Sequence, residues 1–186
     1  KKELLNFCKF DSILGGHPEK DKIPGVEAST GALGHGLSIG VGFAIASKIN
    51  NIKNRIVVLV GDGEIDEGSI WEASLSIKKH KLSNLTLMID YNKIQSYGFV
   101  KEVLDLEPLH DKLISFGYDV YEINGHDIDQ IAKTLARTSA NKNQSTAIIC
   151  HTIKGKGFKF AENNPSWHHK SNLNNDEIKL LKDSIN

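Results

Sequence analysis

Four short runs of β-branched and other apolar residues, separated by stretches with helical spacing, restrict this chain more than any other feature. The runs are RIVVLV (55–60), LTLMID (85–90), YDVYEI (118–123) and TAIICHTI (146–153). Near-continuous apolar character marks strands buried on both faces, the habit of parallel sheets. Parallel neighbours need a crossover, and the intervening sequence supplies helices. EGSIWEASLSIKKHK (67–81) sets Ile70, Trp71, Ser74, Leu75 and Lys78 at helical spacing. DIDQIAKTLARTSA (127–140) sets Ile128, Ile131 and Leu135 on one side, with Asp127 as the cap. GLSIGVGFAIASKIN (36–50), apolar and rich in Gly and Ala, reads as a helix packed closely on its neighbours, and LNNDEIKLLKDSIN (173–186) as a short terminal helix. This alternation predicts an α/β fold: a doubly wound, mostly parallel sheet with helices on both faces and right-handed crossovers.

Composition narrows the function classes. The 186 residues are one domain's worth of chain. Lys plus Arg equals Asp plus Glu at 23 each, so no basic footprint points to nucleic acid or to an anionic membrane. The longest apolar stretch falls short of a membrane span, and KKELLNFCKF lacks the apolar core of a signal peptide. Two cysteines, Cys8 and Cys150, make no disulfide framework, and both are expected to be inert. The cytoplasm is the expected compartment.

Chemistry concentrates at two strand ends. GDGEIDEG (61–68) follows RIVVLV, and thirty positions after Asp62 comes Asn92, at the end of LTLMIDY. Ligands of open α/β sheets bind beyond the carboxyl ends of the strands. If the two strands are neighbours, Asp62 and Asn92 bring two hard oxygen donors together. Mg²⁺ takes one or two such donors from protein and the rest from phosphate and water. One Asp neutralises half of a divalent charge, so an anionic ligand is expected to complete the site. Gly61 and Gly63 let a diphosphate approach the backbone beside the N-terminus of the following helix. An Asp after a strand also serves as a helix cap, so GDG by itself leaves a purely structural reading open; the Asn at a second strand end weighs against it.

GDGEIDEGSIWEA followed by DYNKIQSYG resembles the thiamine-diphosphate motif in its transketolase form. GGHPEKDKIPGVEASTGALGHGLSIGVGFAIA (15–46) is similar to the GHPE…PGVE…TG-L-GxG stretch of that family, and HTIKGKGFKFAENNPSWHHK (151–170) to its KGKG…SWHGK region. The three blocks keep their order and cover nearly the whole chain. The resemblance implies the thiamine-diphosphate-binding fold, one diphosphate-binding domain over 1–186, and the cofactors thiamine diphosphate and Mg²⁺, with Ca²⁺ or Mn²⁺ as substitutes. Asp62 and Asn92 would hold the metal through side chains and Ile94 through its carbonyl. Gly63 would meet the diphosphate, Asn92 serving the cofactor as well. Gly31, Ala32 and Leu33 match the segment that passes the pyrimidine and thiazolium, with Leu33 in contact. Lys154 and His168, fourteen apart, match a lysine and a histidine lining the diphosphate end and the reacting carbon. His17 and His168 are the expected catalytic residues, and Glu67 matches an acid of the subunit interface.

The activity implied is transfer of a two-carbon ketol unit from a ketose or ketose phosphate to an aldose. The resemblance places two further site histidines upstream of the GHP block, and the glutamate that protonates the aminopyrimidine in a separate pyrimidine-binding domain. The expectation is therefore the N-terminal subunit of a split transketolase, lacking the usual N-terminal segment, active only with a pyrimidine-binding C-terminal subunit in an α2β2 assembly. One departure stands out: the family pattern has Gly after His168, and this chain has His169. Deoxyxylulose-phosphate synthases and 2-oxoacid dehydrogenase E1 α-subunits share GDG and the Asn, but EGSIWEA with GHPE favours transketolase. A dinucleotide-binding domain would need GxGxxG after a strand, which VGDGEIDEG lacks. A non-catalytic interaction subunit of the same fold is the alternative of a different class.

Overall fold

The computed structural model describes residues 2–140 and 143–185. Asn186, the last residue of the expected terminal helix, lies outside the described residues, as does Lys1. Among the described residues four parallel strands form the sheet: β1 (Ile56–Gly61), β2 (Leu85–Tyr91), β5 (Asp119–Asn124) and β6 (Thr146–His151), in the order β1-β2-β6-β5. A second, antiparallel pair, β3 (Ile94–Gln95) and β4 (Gly98–Phe99), forms a small hairpin directly after β2. The helices are α1 (His35–Ile49), α2 (Gly68–His80), α3 (Val100–Val103), α4 (Leu109–Phe116), α5 (Ile128–Ala140) and α6 (Asn175–Asp183).

Side-chain alternation along the strands divides the interior in two. Leu85, Leu87 and Ile89 of β2, with Ala147 and Ile149 of β6, point to one face. There they meet Leu37, Val41 and Ala44 of α1, Ile70, Ala73 and Ile77 of α2, and Leu109 and Leu113 of α4. Met88, Ile148, Cys150 and Ile123 point to the other face, where Ile131 and Leu135 of α5 cover them. Helices thus lie on both faces, as the alternation predicts. Each fully buried Leu or Ile contributes about 1.5–3 kcal/mol, so β2, buried along most of its length, anchors the sheet. Burial on both faces holds for β2 and β6, the central strands, but not for β1 and β5, whose edge positions leave alternate residues open.

The expected faces of two helices need correction. In α2 the buried residues are Ile70, Ala73, Ser74 and Ile77, while Leu75 is 59% exposed and Trp71 only half-buried. The helix approaches the core through small residues, and Ser74 stays buried because its hydroxyl meets Tyr118 Oη at 2.9 Å. In α5 the cap is as expected, with Asp127 accepting the Gln130 amide at 3.0 Å, but Ile128 is 79% exposed. The terminal helix α6 starts with a capping box, Asn174 and Glu177 each bonding the other's backbone amide. Among the described residues no helix is long and apolar enough to cross a membrane.

Gly40 shows why α1 is rich in small residues. A Cβ there would stand 2.4 Å from Val58 Cγ2 of β1, whereas one on Gly42, on the outer side of α1, would meet nothing within 4 Å. Gly40→Ala is therefore expected to lower stability by about 1–3 kcal/mol through overpacking, offset in part by helix propensity. Gly42→Ala is expected to raise it by about 0.5–1 kcal/mol. Urea unfolding of the two variants checks the sign of each.

Candidate functional site

The parallel pairing of β1 with β2 sets Gly61 opposite Asp90, so the residues that follow each strand emerge at the same carboxyl edge. Asp62 is 2% and Asn92 8% exposed there. Asp62 Oδ1 accepts the Gly63 amide at 2.8 Å, and Oδ2 accepts the amide of Lys93 in a short hydrogen bond. Lys93 reaches it by adopting a left-handed conformation, φ 68°. Asn92 Oδ1 accepts the Ile94 amide at 3.0 Å, and its Nδ2 donates to Asp90 Oδ2 at 3.3 Å. The other Asp90 oxygen accepts the Thr152 hydroxyl, in the turn after β6. Asp90 therefore orients Asn92 and ties β2 to the β6 turn. Sequence reasoning passed over it, although its two-residue spacing from Asn92 put both on one side of the strand end.

Burial raises the Asp62 pKa above the ordinary carboxylate value and the Asp90 charge adds to it, while the amides of Lys93 and Gly63 and the charge of Lys154 act the other way. Asp62 and Asp90 thus set two carboxylates within reach of the Lys154 ammonium or of each other. The oxygens that could hold a divalent ion there are the Asp62 carboxylate, the Asn92 amide oxygen and the Ile94 carbonyl, hard donors of the kind Mg²⁺ takes. Among the described residues no three His, Cys, Asp or Glu side chains gather as a metal cluster. Beside these oxygens opens a cleft of about 340 Å³ lined by Tyr91, Asn92, Lys93, Ile94, His151 and Thr152, among others.

The glycines of GDG have different reasons. A Cβ on Gly61 would face open space. One on Gly63 would lie 2.7 Å from Gln95 Cβ, so Gly63 is explained first by the approach of the hairpin. The helix expected to start at this turn does not. Asp62 caps a single 3₁₀ turn, Gly63–Asp66, then Glu67 is extended and α2 begins only at Gly68.

The third block folds back over this edge. Lys154 lies three residues past β6, close enough for its charge to act on both Asp62 and His168. His168 Nε2 lies 3.2 Å from Ser96 Oγ in the hairpin turn, while its Nδ1 is buried without a partner among the described residues. Burial lowers the His168 pKa below its ordinary value of 6.5, and Lys154 and His169 lower it further. His169, where the family pattern has Gly, has φ 51°. The histidine holds a left-handed backbone of the kind glycine adopts freely.

The segment 31–33 forms a second wall. Gly31, Ala32 and Leu33 are exposed, Leu33 by 56%. A Cβ on Gly31 would lie 2.8 Å from the ring of exposed His17, so the GHP histidine is brought against this segment. Glu64 joins the wall to the GDG turn, accepting the Gly34 amide at 2.9 Å on one oxygen and the Gly61 amide at 3.3 Å on the other. Gly34 has φ 77°, and a Cβ there would stand 2.6 Å from Glu67 Cβ. Asp62, Asn92, Ile94, Gly63, Lys154 and His168 thus gather at one edge, while His17 and 31–33 form a flank linked through Glu64. Trp71 and Trp167 are structural: Trp71 donates to the Ile65 carbonyl at 2.9 Å, and Trp167 packs on Phe160 at 5.0 Å. Cys8 is exposed, and burial with the Asp90 charge pushes the Cys150 thiol up to about 11.

A family model described as transketolase, thiamine diphosphate binding domain, matches residues 2–186. An apulose-4-phosphate transketolase subunit of Actinobacillus succinogenes is 46% identical over 98% of this chain and 65% of that protein. A 6-deoxy-6-sulfo-D-fructose transketolase subunit of Clostridium sp. (strain MSTE9) is 37% identical over 89% of this chain and 61% of its own. The crystal structure of transketolase from Campylobacter jejuni is similar with a TM-score of 0.84 and 34% identity, over 90% of this chain and 27% of that one. The chain thus spans less than two thirds of the length of these curated relatives.

Two outcomes are expected at the third block. His169→Gly should be tolerated, whereas β-branched His169→Val should cost about 1–2 kcal/mol in thermal or urea unfolding, because φ 51° is retained. The second concerns pH. With its folded pKa below 6.5, His168 resists a proton that the unfolded chain accepts. Stability is then lost as pH falls from 6.5 towards the folded pKa, and is complete above 6.5. Between about pH 7.5 and pH 5, the wild-type chain should lose more stability than His168→Gln. Equal losses would contradict the assigned environment.

Proposed function

The chain belongs to the transketolase family, within its thiamine-diphosphate-binding domain, and from that premise we propose that it is the N-terminal subunit of a split transketolase. The reading takes 1–186 as a single diphosphate-binding domain. The observation that carries it is the meeting of Asp62, Asn92 and Ile94 at the joint carboxyl edge of β1 and β2, with Lys154 beside them. Asp62, the Asn92 amide oxygen and the Ile94 carbonyl would hold Mg²⁺, for which Ca²⁺ or Mn²⁺ would substitute. Gly63, Asn92, Lys154 and His168 serve the diphosphate end, while Gly31, Ala32 and Leu33 border the rings. Thiamine diphosphate, when bound, supplies the nucleophilic carbon through which a two-carbon ketol unit passes from a ketose to an aldose.

The residues of this chain then bind, orient and move protons. Lys154 is a point charge suited to phosphate oxygens. His168, whose burial and cationic neighbour disfavour the protonated ring, can accept a proton from a substrate hydroxyl or return one, the work of a general acid–base. His17, held against Gly31 and open to solvent, is placed to hydrogen-bond an incoming sugar. Most of the residues bordering the ring side are exposed in this chain, which supports a cofactor closed in by a second, pyrimidine-binding subunit; the assembly we infer is an α2β2 cytoplasmic enzyme. The names of the two curated relatives, each a transketolase subunit for a specialised ketose, support a ketose or ketose phosphate as donor.

The test is calorimetry and turnover with the pyrimidine-binding chain present. Both chains together should transfer a ketol unit, and this chain alone should not. Asp62→Ala should abolish Mg²⁺-dependent binding of thiamine diphosphate while circular dichroism shows the fold retained. Normal cofactor affinity in that variant would refute the metal assignment.

A further inference from the structure

Lys154 stands at the head of a glycine-rich turn, with β6 ended and Gly155 at φ 78° and Gly157 at φ 101° still to come. Its backbone is nevertheless held from several sides. The Thr152 amide donates to the Tyr91 carbonyl at 3.3 Å, and the Thr152 hydroxyl donates to Asp90. The Lys154 carbonyl accepts the Asn163 amide at 3.0 Å. Between these, the Ile153 amide donates to Nε2 of His126 at 2.8 Å, 27 positions back in the chain.

That last contact fixes the state of the His126 ring. A backbone N–H can only donate, so Nε2 must offer its lone pair and the ring proton sits on Nδ1. Free histidine favours the other tautomer, so the amide selects a form that water would not. The turn after β5 holds the ring in place for this. Asn124 Oδ1 accepts the His126 amide at 3.0 Å, and the Gly125 amide donates to the His151 carbonyl at 2.8 Å. Gly125 also lets the two turns meet closely, since a Cβ there would stand 2.4 Å from Thr152 Cγ2. His126 itself is exposed, so burial of its ring contributes little to the core. What the side chain fixes is the peptide just before Lys154.

We propose that His126, as its Nδ1–H tautomer, is a positioning residue: by accepting the Ile153 amide it keeps Lys154 at the edge that takes the cofactor diphosphate. The inference rests on the reading of Lys154 as a diphosphate ligand. His126 acts only through the peptide. Asp90 grips the same segment through Thr152, so the lysine is held between the end of β2 and the turn after β5. A proton added to Nε2 would set donor against donor and release one of the two grips.

The experiment begins with the full ¹⁵N-labelled chain, free of cofactor. Long-range ¹⁵N–¹H correlation, with the ring assigned by its loss in His126→Gln, should show His126 as the Nδ1–H form. A scalar coupling should link its Nε2 to the Ile153 amide nitrogen across the hydrogen bond. His126→Ala should speed solvent exchange of the Ile153 and Asn163 amides by about two- to tenfold, the loss of one ordinary hydrogen bond. With the pyrimidine-binding chain present, the same variant should weaken Mg²⁺-dependent thiamine-diphosphate binding by a similar factor in calorimetry. His126→Gln, whose side-chain oxygen can accept the Ile153 amide, should recover most of both losses. An Nε2–H ring in the wild-type chain would overturn the proposal, as would exchange or affinity unmoved by His126→Ala, or losses that His126→Gln does not recover. Tautomer and exchange are read without cofactor. A wild-type enzyme that binds no thiamine diphosphate would therefore refute the transketolase reading, an outcome distinguishable from failure of the His126 contact.

Discussion

A carboxylate withdrawn from water must be met by donors, and at Asp62 those donors are the backbone amides of Gly63 and Lys93. One follows β1 and the other follows β2, so a single side chain clamps two strand ends together. Asp90, two residues before Asn92, repeats the device between β2 and the turn after β6. The carboxyl edge is thus not merely where ligands of such sheets lie. It is held in shape by its own acids, and the charge they concentrate is what a divalent ion would offset. The sheet supplies the register, since Gly61 pairs with Asp90, and the acids lock what the register brings together.

Much of this was legible in the sequence because strand ends are legible. RIVVLV and LTLMIDY announce where two buried strands stop, and polar residues at those stops are few. Helix faces were harder to read. In α2 the eye follows Trp71 and Leu75, but close approach to the sheet selects Ala73 and Ser74, and Ser74 is tolerated inside because the Ile70 carbonyl and Tyr118 both meet its hydroxyl. The β3–β4 hairpin, two residues a side, is too short to show an alternation, and α4 buries little besides Leu109 and Leu113.

The site was legible in part for the same reason. Asp62, Asn92 and Lys154 sit where strands end, so strand recognition finds them. Glu64, Asp90 and Ser96 act through partners 30, 62 and 72 positions away, and no local pattern marks such pairings. His169 is the reverse case. The sequence shows a departure from glycine, and the structure shows His169 in a left-handed backbone of the kind glycine favours. Among side chains His is one of those that enter this conformation at moderate cost.

The Glu64 carboxylate, spanning from Gly61 to Gly34, has a consequence for how this family can vary. Because the same two oxygens serve the strand end and the entrance to α1, the two segments form one mechanical unit across thirty residues of chain. A residue inserted between Leu33 and Gly34 would pull on Glu64, and through it on the turn that carries Asp62. Length changes should therefore be absorbed upstream, in the open stretch from Glu19 to Ser29, where chain can be added without tension on the buried acid. The segment from Gly31 to Gly34 would then keep a fixed length.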